Sequence, residues 1–252
     1  MSGDLGPVGE VDGPAWRTVL GLDDGADLVA VVVEGSWWRA QRTSWRMGKL
    51  EAPRESGIPD VWLGDHEGRT VMYACVYGAP RAAEVVHVAA LAGARLAIQI
   101  GTCGIVGGDV APGDVIVPQA ARCLDSVAAT YGAGAMAPAS DAWVGRAVEA
   151  LEARGCATHR GTAVTWPTLF AQPVEEVRVW QQDGHLGVDM ETATTLAVAS
   201  RFGVPAVSML VAWDKVLSGR SFLDPLSPLE AAAFDRANEA VFDVALELAD
   251  QV

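Results

Sequence analysis

The sequence predicts an α/β fold in a single domain: a twisted mixed sheet flanked by helices. Three observations carry that expectation. Short Val- and Ile-rich runs alternate along the chain with longer helical patterns, which is how strands and helices layer. Glycines such as Gly93 and Gly155 close the helical patterns as C-caps. The chain has 252 residues, half of them hydrophobic, which suits one large domain with a sizeable core.

Taken in order, residues 1–14 (MSGDLGPVGEVDGP) are rich in Gly, Asp and Pro and are expected to form a loosely held arm, leaving 15–252 as the domain. Leu28 to Val33 reads as the first strand. Gly35 follows it, then Ser36-Trp37-Trp38-Arg39 at a helix start. A strand, a glycine and a helix start present free amides to an anion, and an arginine one turn on can fork onto two oxygens. The plain alternative for Arg39 is a surface helix residue. Glu51 to Asp60, with two prolines and mixed charges, reads as a loop. Val61 to Leu63 and Thr70 to Tyr77 read as a hairpin around Asp65-His66-Glu67-Gly68. Gly78-Ala79-Pro80 opens a helix running to about Ala92, with proline in its first turn.

Leu96 to Ile100 is a short run with no polar face to offer, apart from Gln99, and reads as a buried central strand. The expected turn after it is Gly101-Thr102-Cys103-Gly104. Glycines let the backbone approach a ligand and turn its amides outward, and Thr102 adds a hydroxyl. Ligands bind at the carboxyl ends of such strands. A plain tight turn is the other reading. Val115 to Pro118 is a further strand, Arg122 to Ala139 a variable loop over the pocket, Ala142 to Arg154 a helix, and His159 to Val164 a strand. Trp166 to Gln172 is a loop, Val174 to Gln182 a helix, Thr192 to Phe202 another, and Ala206 to Ala212 the last core strand. Ser227 to Asp250 is an amphipathic terminal helix, with Ser227 as N-cap and Pro228 in the first turn.

The formal net charge of −14 argues against a nucleic-acid partner, which needs a basic face, and disfavours anionic membranes. The four cysteines, Cys75, Cys103, Cys123 and Cys156, form no C-x-x-C pair and no zinc-like spacing, so no metal is expected and reduced thiols of a cytoplasmic protein are. The N-terminus does not resemble a signal peptide, and no apolar run is long and uniform enough to span a membrane.

Three segments, in order, resemble the nucleoside phosphorylase family, the branch of bacterial purine nucleoside phosphorylases, uridine phosphorylases and related nucleosidases. Gly78 to Asp114 (GAPRAAEVVHVAALAGARLAIQIGTCGIVGGDVAPGD) is similar to its core signature. Gly187 to Asp214 (GVDMETATTLAVASRFGVPAVSMLVAWD) resembles its V-E-M-E stretch, a helix and a strand ending in Ser-Asp. Val31 to Arg39 (VVVEGSWWR) falls where the family has a Gly-Asp-Pro-x-Arg loop, with a Trp pair in place of Asp-Pro.

The resemblance implies a three-layer phosphorylase-like fold and cleavage of the N-glycosidic bond of a purine or purine-like nucleoside. It also implies a homo-oligomer, a dimer or a trimer of dimers, with no cofactor but inorganic phosphate as co-substrate. Met190 and Glu191 match the pair that holds the ribose; a carboxylate can accept from two neighbouring hydroxyls. Asp189 replaces the first glutamate of that motif and is assigned to the base side. Asp214 matches the acid that protonates the departing purine; a buried carboxyl near an apolar pocket has the raised pKa such an acid needs. Trp213 stands where the family has Ser, and Phe170 fits a stacking aromatic; both, with Cys103 and Gly104, are expected around the base. Ordinary core is the alternative for the two aromatics.

For the acceptor, the family match gives Gly35, Arg39, Gln99, Gly101 and Thr102. Gln99 stands where phosphorylases carry an arginine, and Gly57, near Arg54, where they supply one to a neighbouring subunit. Hydrolytic relatives carry an amide near the place of Gln99 and activate water with a glutamate, for which Glu34 is near the right strand end. Phosphate attack, water attack and a non-catalytic nucleoside binder therefore stay open. Arg220 and Arg236 are the candidates to assist Asp214.

Overall fold

The computed structural model describes residues 12–218 and 221–252. A ten-stranded sheet forms the middle layer, in the order β10-β6-β8-β9-β5-β1-β4-β3-β2, with β7 on β6. The strands are β1 (Leu28–Gly35), β2 (Glu51–Glu55), β3 (Val61–His66), β4 (Arg69–Val76), β5 (Leu96–Ile105), β6 (Val115–Cys123), β7 (Met136–Pro138), β8 (Thr158–Thr165), β9 (Gly187–Asp189) and β10 (Ala206–Lys215). β10 also pairs with β5, so β5, β10, β6, β8 and β9 close on themselves. Strands β4, β1, β5 and β10 are mutually parallel neighbours, so their carboxyl ends gather on one side.

The helices are α1 (Gly13–Leu20), α2 (Arg39–Met47), α3 (Ala79–Ala92), α4 (Ser126–Thr130), α5 (Asp141–Ala153), α6 (Val174–Gln182), α7 (Thr192–Arg201) and α8 (Pro228–Ala249). Alternation along the central strands builds two apolar layers. Val32, Ile98 and Ile100 face a core with Phe242 and Val244 of α8 and Val144 and Leu151 of α5. Val31, Val33 and Ala97 face the other, with Val86 of α3 and Leu196 of α7. α8 starts at Ser227, the expected N-cap, in a capping box in which Ser227 and Glu230 exchange bonds.

Four segments differ from the sequence reading. α1 begins at Gly13 because Asp12 caps it, accepting from Ala15 N–H, so residues 12–14 belong to the folded domain; the rest of the expected arm lies outside the described residues. Residues 51–55 form a strand despite Pro53, which an edge strand tolerates. The stretch 122–139 is built rather than looping over a pocket. Asp125 caps α4 by accepting from Val127 and Ala128 N–H, while Ala128 and Ala137 are buried against the α3 and α7 layer. Finally, β5 runs on through Gly101-Thr102-Cys103-Gly104, paired with Leu210 to Ala212 of β10 and Val188 of β9. That segment is strand, with its backbone committed to the sheet.

Candidate active site

The gathered carboxyl ends of β4, β1, β5 and β10 floor a cleft. Gly35, Thr102, Cys103, Gly104, Asp189, Met190, Glu191, Trp213 and Asp214 all line it, drawn from four separate parts of the chain. This is the end of an α/β sheet where ligands bind, because loops open there and strand-end amides lack partners.

Glu191 is closely confined. It is 4% exposed and sits just before α7, with Oε1 accepting from Gly78 N–H at 2.6 Å. Gly78 has φ +98°, a conformation that glycine adopts without strain. Oε2 of Glu191 lies against the Cα of Gly35, so a side chain at position 35 would collide with it. Gly101 is a glycine for a similar reason: its missing Cβ would stand 2.8 Å from the carbonyl oxygen of Gly35 on the neighbouring strand. A Cβ on Gly104 would stand 2.6 Å from Val216 and 3.7 Å from Oδ1 of Asp214. Gly35 and Gly104 line the cleft, Gly101 packs beneath Gly35, and all three are held to glycine by the close approach of other chain segments.

Asp189 lines the cleft, but its carboxylate is turned inward. Oδ1 accepts from Thr165 Oγ1 at 2.8 Å, and Oδ2 accepts from Thr192 Oγ1 at 2.6 Å and from the Thr192 and Glu191 amides. It braces the start of α7 and thereby Glu191; its acid is not free to meet a base. Burial raises the pKa of both acids. Glu191 is pushed up to about 8, by burial first and by the Asp189 charge second. Asp214, at the β10 side, is also raised by burial. The cleft therefore carries a buried carboxyl at each side, and burial makes both hold their protons to higher pH than free acids do.

Three expected site residues lie elsewhere. Arg39 is half exposed and pairs with Asp60 at 3.5 Å, because α2 starts there and carries its side chain to the surface. Gln99 falls on the α7 face of β5, fully buried, where Oε1 accepts from the Thr192 and Ser208 hydroxyls and Nε2 donates to Ile100 O. Phe170 does not line the cleft; it is 72% exposed and stands edge-on to Trp37 at 5.3 Å. Glu34 is also taken: Arg46 forks onto it at 2.9 and 3.0 Å, and Tyr73 Oη donates to it at 2.9 Å. Gly57 packs on the Val19 carbonyl, Arg54 sits on edge strand β2, and Arg236 is exposed on α8. Arg220 lies outside the described residues. Among the described residues no Lys or Arg lines the cleft.

Trp37, Trp38, Tyr77, Leu169, Gln172, Val216 and Phe222 also line it and were not assigned from sequence. Tyr77 was findable, since it directly follows β4 and precedes Gly78. Trp38 faces Trp213 at 5.4 Å, and Trp213 packs on Phe234 at 4.9 Å, so the Trp213 ring is a wall of the cleft anchored on α8.

This fold and cleft define a nucleoside-phosphorylase-like α/β protein. The chain belongs to the phosphorylase superfamily, whose family model matches residues 31–248. It is 30% identical over 129 residues to a DeoD-type purine nucleoside phosphorylase of Alkaliphilus metalliredigens, covering 50% of this chain and 55% of that one. It is 28% identical over 158 residues to a DeoD-type purine nucleoside phosphorylase of Bacillus cereus, covering 62% and 66%. The matched region thus spans between half and two thirds of these relatives. The fold is shared with uridine phosphorylase from Vibrio fischeri ES114, at a TM-score of 0.75 and 19% identity, over 92% of this chain and all of that one.

Proposed function

We propose that this chain cleaves the N-glycosidic bond of a purine or purine-like nucleoside, releasing the free base. The observation that carries the reading is the pairing across one cleft of Glu191, buried and fixed by Gly78, with Asp214, raised in pKa by burial. Glu191, with Met190 beside it, hydrogen-bonds the ribose hydroxyls and fixes the sugar end of the nucleoside. Asp214 donates its proton to the purine as the glycosidic electrons pass to the base. Thr102, Cys103 and Gly104 form the floor between them, and Trp213 the wall beside the base.

Inorganic phosphate is the acceptor in this reading, supported by membership of the phosphorylase superfamily and by the names of the curated relatives. Water is a second reading, favoured by one observation: among the described residues the cleft holds carboxylates and aromatics but no cation to bind phosphate. The reading also takes the active form to be a homo-oligomer, which light scattering checks.

The test is chromatographic base release from a purine nucleoside panel, with and without phosphate. Phosphate-dependent release with a sugar 1-phosphate supports phosphorolysis; phosphate-independent release with free sugar supports hydrolysis. Asp214→Asn removes the proton donor and is expected to lower kcat by about 100-fold or more while nucleoside binding survives. Full activity in that variant would refute the role of Asp214. In the wild type, base release falls as pH rises through the raised pKa of Asp214, because only its protonated form donates.

A further inference from the structure

Glycosidic cleavage leaves unexplained a knot of polar side chains in the apolar layer between the sheet and α7. Gln99 of β5 and Ser208 of β10 stand directly opposite each other in the sheet register. Thr192, the first residue of α7, sits on that pair. All three are fully buried, in the layer that Ala97, Ala193, Leu196 and Ala197 help to build. Gln99 stands where the family resemblance calls for an arginine, and its amide is spent in this layer.

Thr192 Oγ1 is the hub. It lies 2.6 Å from Asp189 Oδ2, 2.9 Å from Gln99 Oε1 and 3.1 Å from Ser208 Oγ. Its one proton stands between two acceptors, and the Ser208 hydroxyl also donates to Gln99 Oε1. Gln99 Nε2 closes the network on Ile100 O at 3.1 Å. Sliding α7 along the sheet would strand two hydroxyls and an amide in apolar surroundings, where unpaired polar groups are costly, so the network pins the start of the helix. The same hydroxyl holds Asp189, whose Oδ2 also accepts the Glu191 and Thr192 amides at 3.2 and 2.8 Å. Glu191 lies between the two ends of this clamp, with its carboxyl on Gly78 N–H. Asp189 braces the turn within itself, whereas Thr192 ties the braced turn to two strands.

We propose that Thr192 is a positioning residue for Glu191: its hydroxyl ties the 189–192 turn to β5 and β10 through Gln99 and Ser208, and so sets where the Glu191 carboxyl meets the sugar. The sugar contact rests on the glycosidic-cleavage reading; the tie does not.

The experiment uses the full chain and two readouts. Calorimetry at pH 8.5 compares a purine ribonucleoside with its 2′,3′-dideoxy counterpart, which offers Glu191 no hydroxyl. Carbon-13 NMR of protein labelled at the glutamate carboxyls, with Glu191→Gln to assign the signal, follows the Glu191 titration, which burial raises to about 8. The wild type is expected to prefer the ribonucleoside about tenfold or more. Thr192→Val keeps the shape and removes the hydroxyl. It narrows the preference to within about threefold and moves the titration to lower pH, since a carboxyl released from its place meets more water. Thr192→Ser restores both. Gln99→Met with Ser208→Ala removes both strand anchors, leaves the bond to Asp189 and gives the Thr192→Val result. A Thr192→Val protein with wild-type preference and titration overturns the proposal. So does one that binds both nucleosides equally more weakly with the titration unmoved, because that is a loosened fold and not a displaced carboxyl. Wild-type behaviour in the strand-anchor variant also overturns it, since the hydroxyl then acts only within its own turn. Equal Kd values for the two nucleosides in the wild type, with the titration moved in Thr192→Val, uphold the positioning and sink the sugar contact instead.

Discussion

Replacing Gly35 by Ala disturbs the site without altering a reacting group. The new Cβ would collide with Oε2 of Glu191 and lie 2.9 Å from its carboxyl carbon. Glu191 has little room to step aside, being buried, held by Gly78 N–H at 2.6 Å and followed directly by α7. If the clash is absorbed in place, overpacking costs about 1–3 kcal/mol. If the carboxyl swings away, it loses its bond to Gly78, worth about 1–3 kcal/mol once the stranded amide is included. These are two ways of relieving one clash, so they do not add, and a loss of about 2 kcal/mol in folding stability is expected. The functional effect is larger in proportion, because a displacement of about 1 Å in a positioning group can cost about 100-fold in rate.

The assay is urea denaturation together with calorimetric binding of a purine nucleoside at pH 8.5, where Glu191 is mostly ionised. Nucleoside Kd is expected to rise at least about tenfold. Gly145→Ala is the control. It lies inside α5 with no atom within 4 Å of the added Cβ, so it gains up to about 1 kcal/mol from helix propensity and leaves binding alone. If Gly35→Ala unfolds with the wild type and keeps its Kd, then Glu191 is not wedged against Gly35, and its role as the sugar contact falls with that geometry.

Two further predictions concern buried charge. Arg46 is fully buried on Glu34, with one guanidinium nitrogen lacking any partner. Arg46→Ala strips the Glu34 carboxylate of its forked partner, leaving the Tyr73 hydroxyl and Arg42 at 3.7 Å, and is expected to cost about 3 kcal/mol in urea denaturation, whereas Glu34→Gln combined with Arg46→Met costs less; a double variant no better than the single one refutes this. Glu191 makes stability depend on pH. Its folded pKa of about 8 lies above the ordinary 4.5, so the folded state keeps a proton that the unfolded state releases. The stabilisation is complete below pH 4.5 and is lost as pH rises to about 8, by at most about 5 kcal/mol. Glu191→Gln should flatten that part of the stability profile, and an unchanged slope would count against the raised pKa.

The sequence made the place of the site legible for a physical reason. Parallel strands must end on one side, so residues at their carboxyl ends converge whatever the loops do; Gly35 and Thr102 were read from such strand ends, Glu191 and Asp214 from the family resemblance, and all four line the cleft. Side-chain direction was not legible. Arg39 and Gln99 occupy the expected backbone positions, yet the start of α2 carries one to Asp60, and strand alternation turns the other onto α7. Gln99 could have been read from period two. It shares a face with Ala97, and Thr192 and Ser208 supply the hydroxyls that a buried amide there requires. Edge strand β2 was hidden by Pro53, which forbids a central strand but not an outer one. The glycine motif shows the limit most clearly. Free amides for an anion were expected at Gly101 to Gly104, but the segment is paired strand, and its glycines are there because Gly35 and Val216 press against them. These glycines stand at and beneath the cleft through steric need. That is why the acceptor has to be decided by what else enters the cleft: among the described residues Asp189, Glu191 and Asp214 line it and no Lys or Arg does.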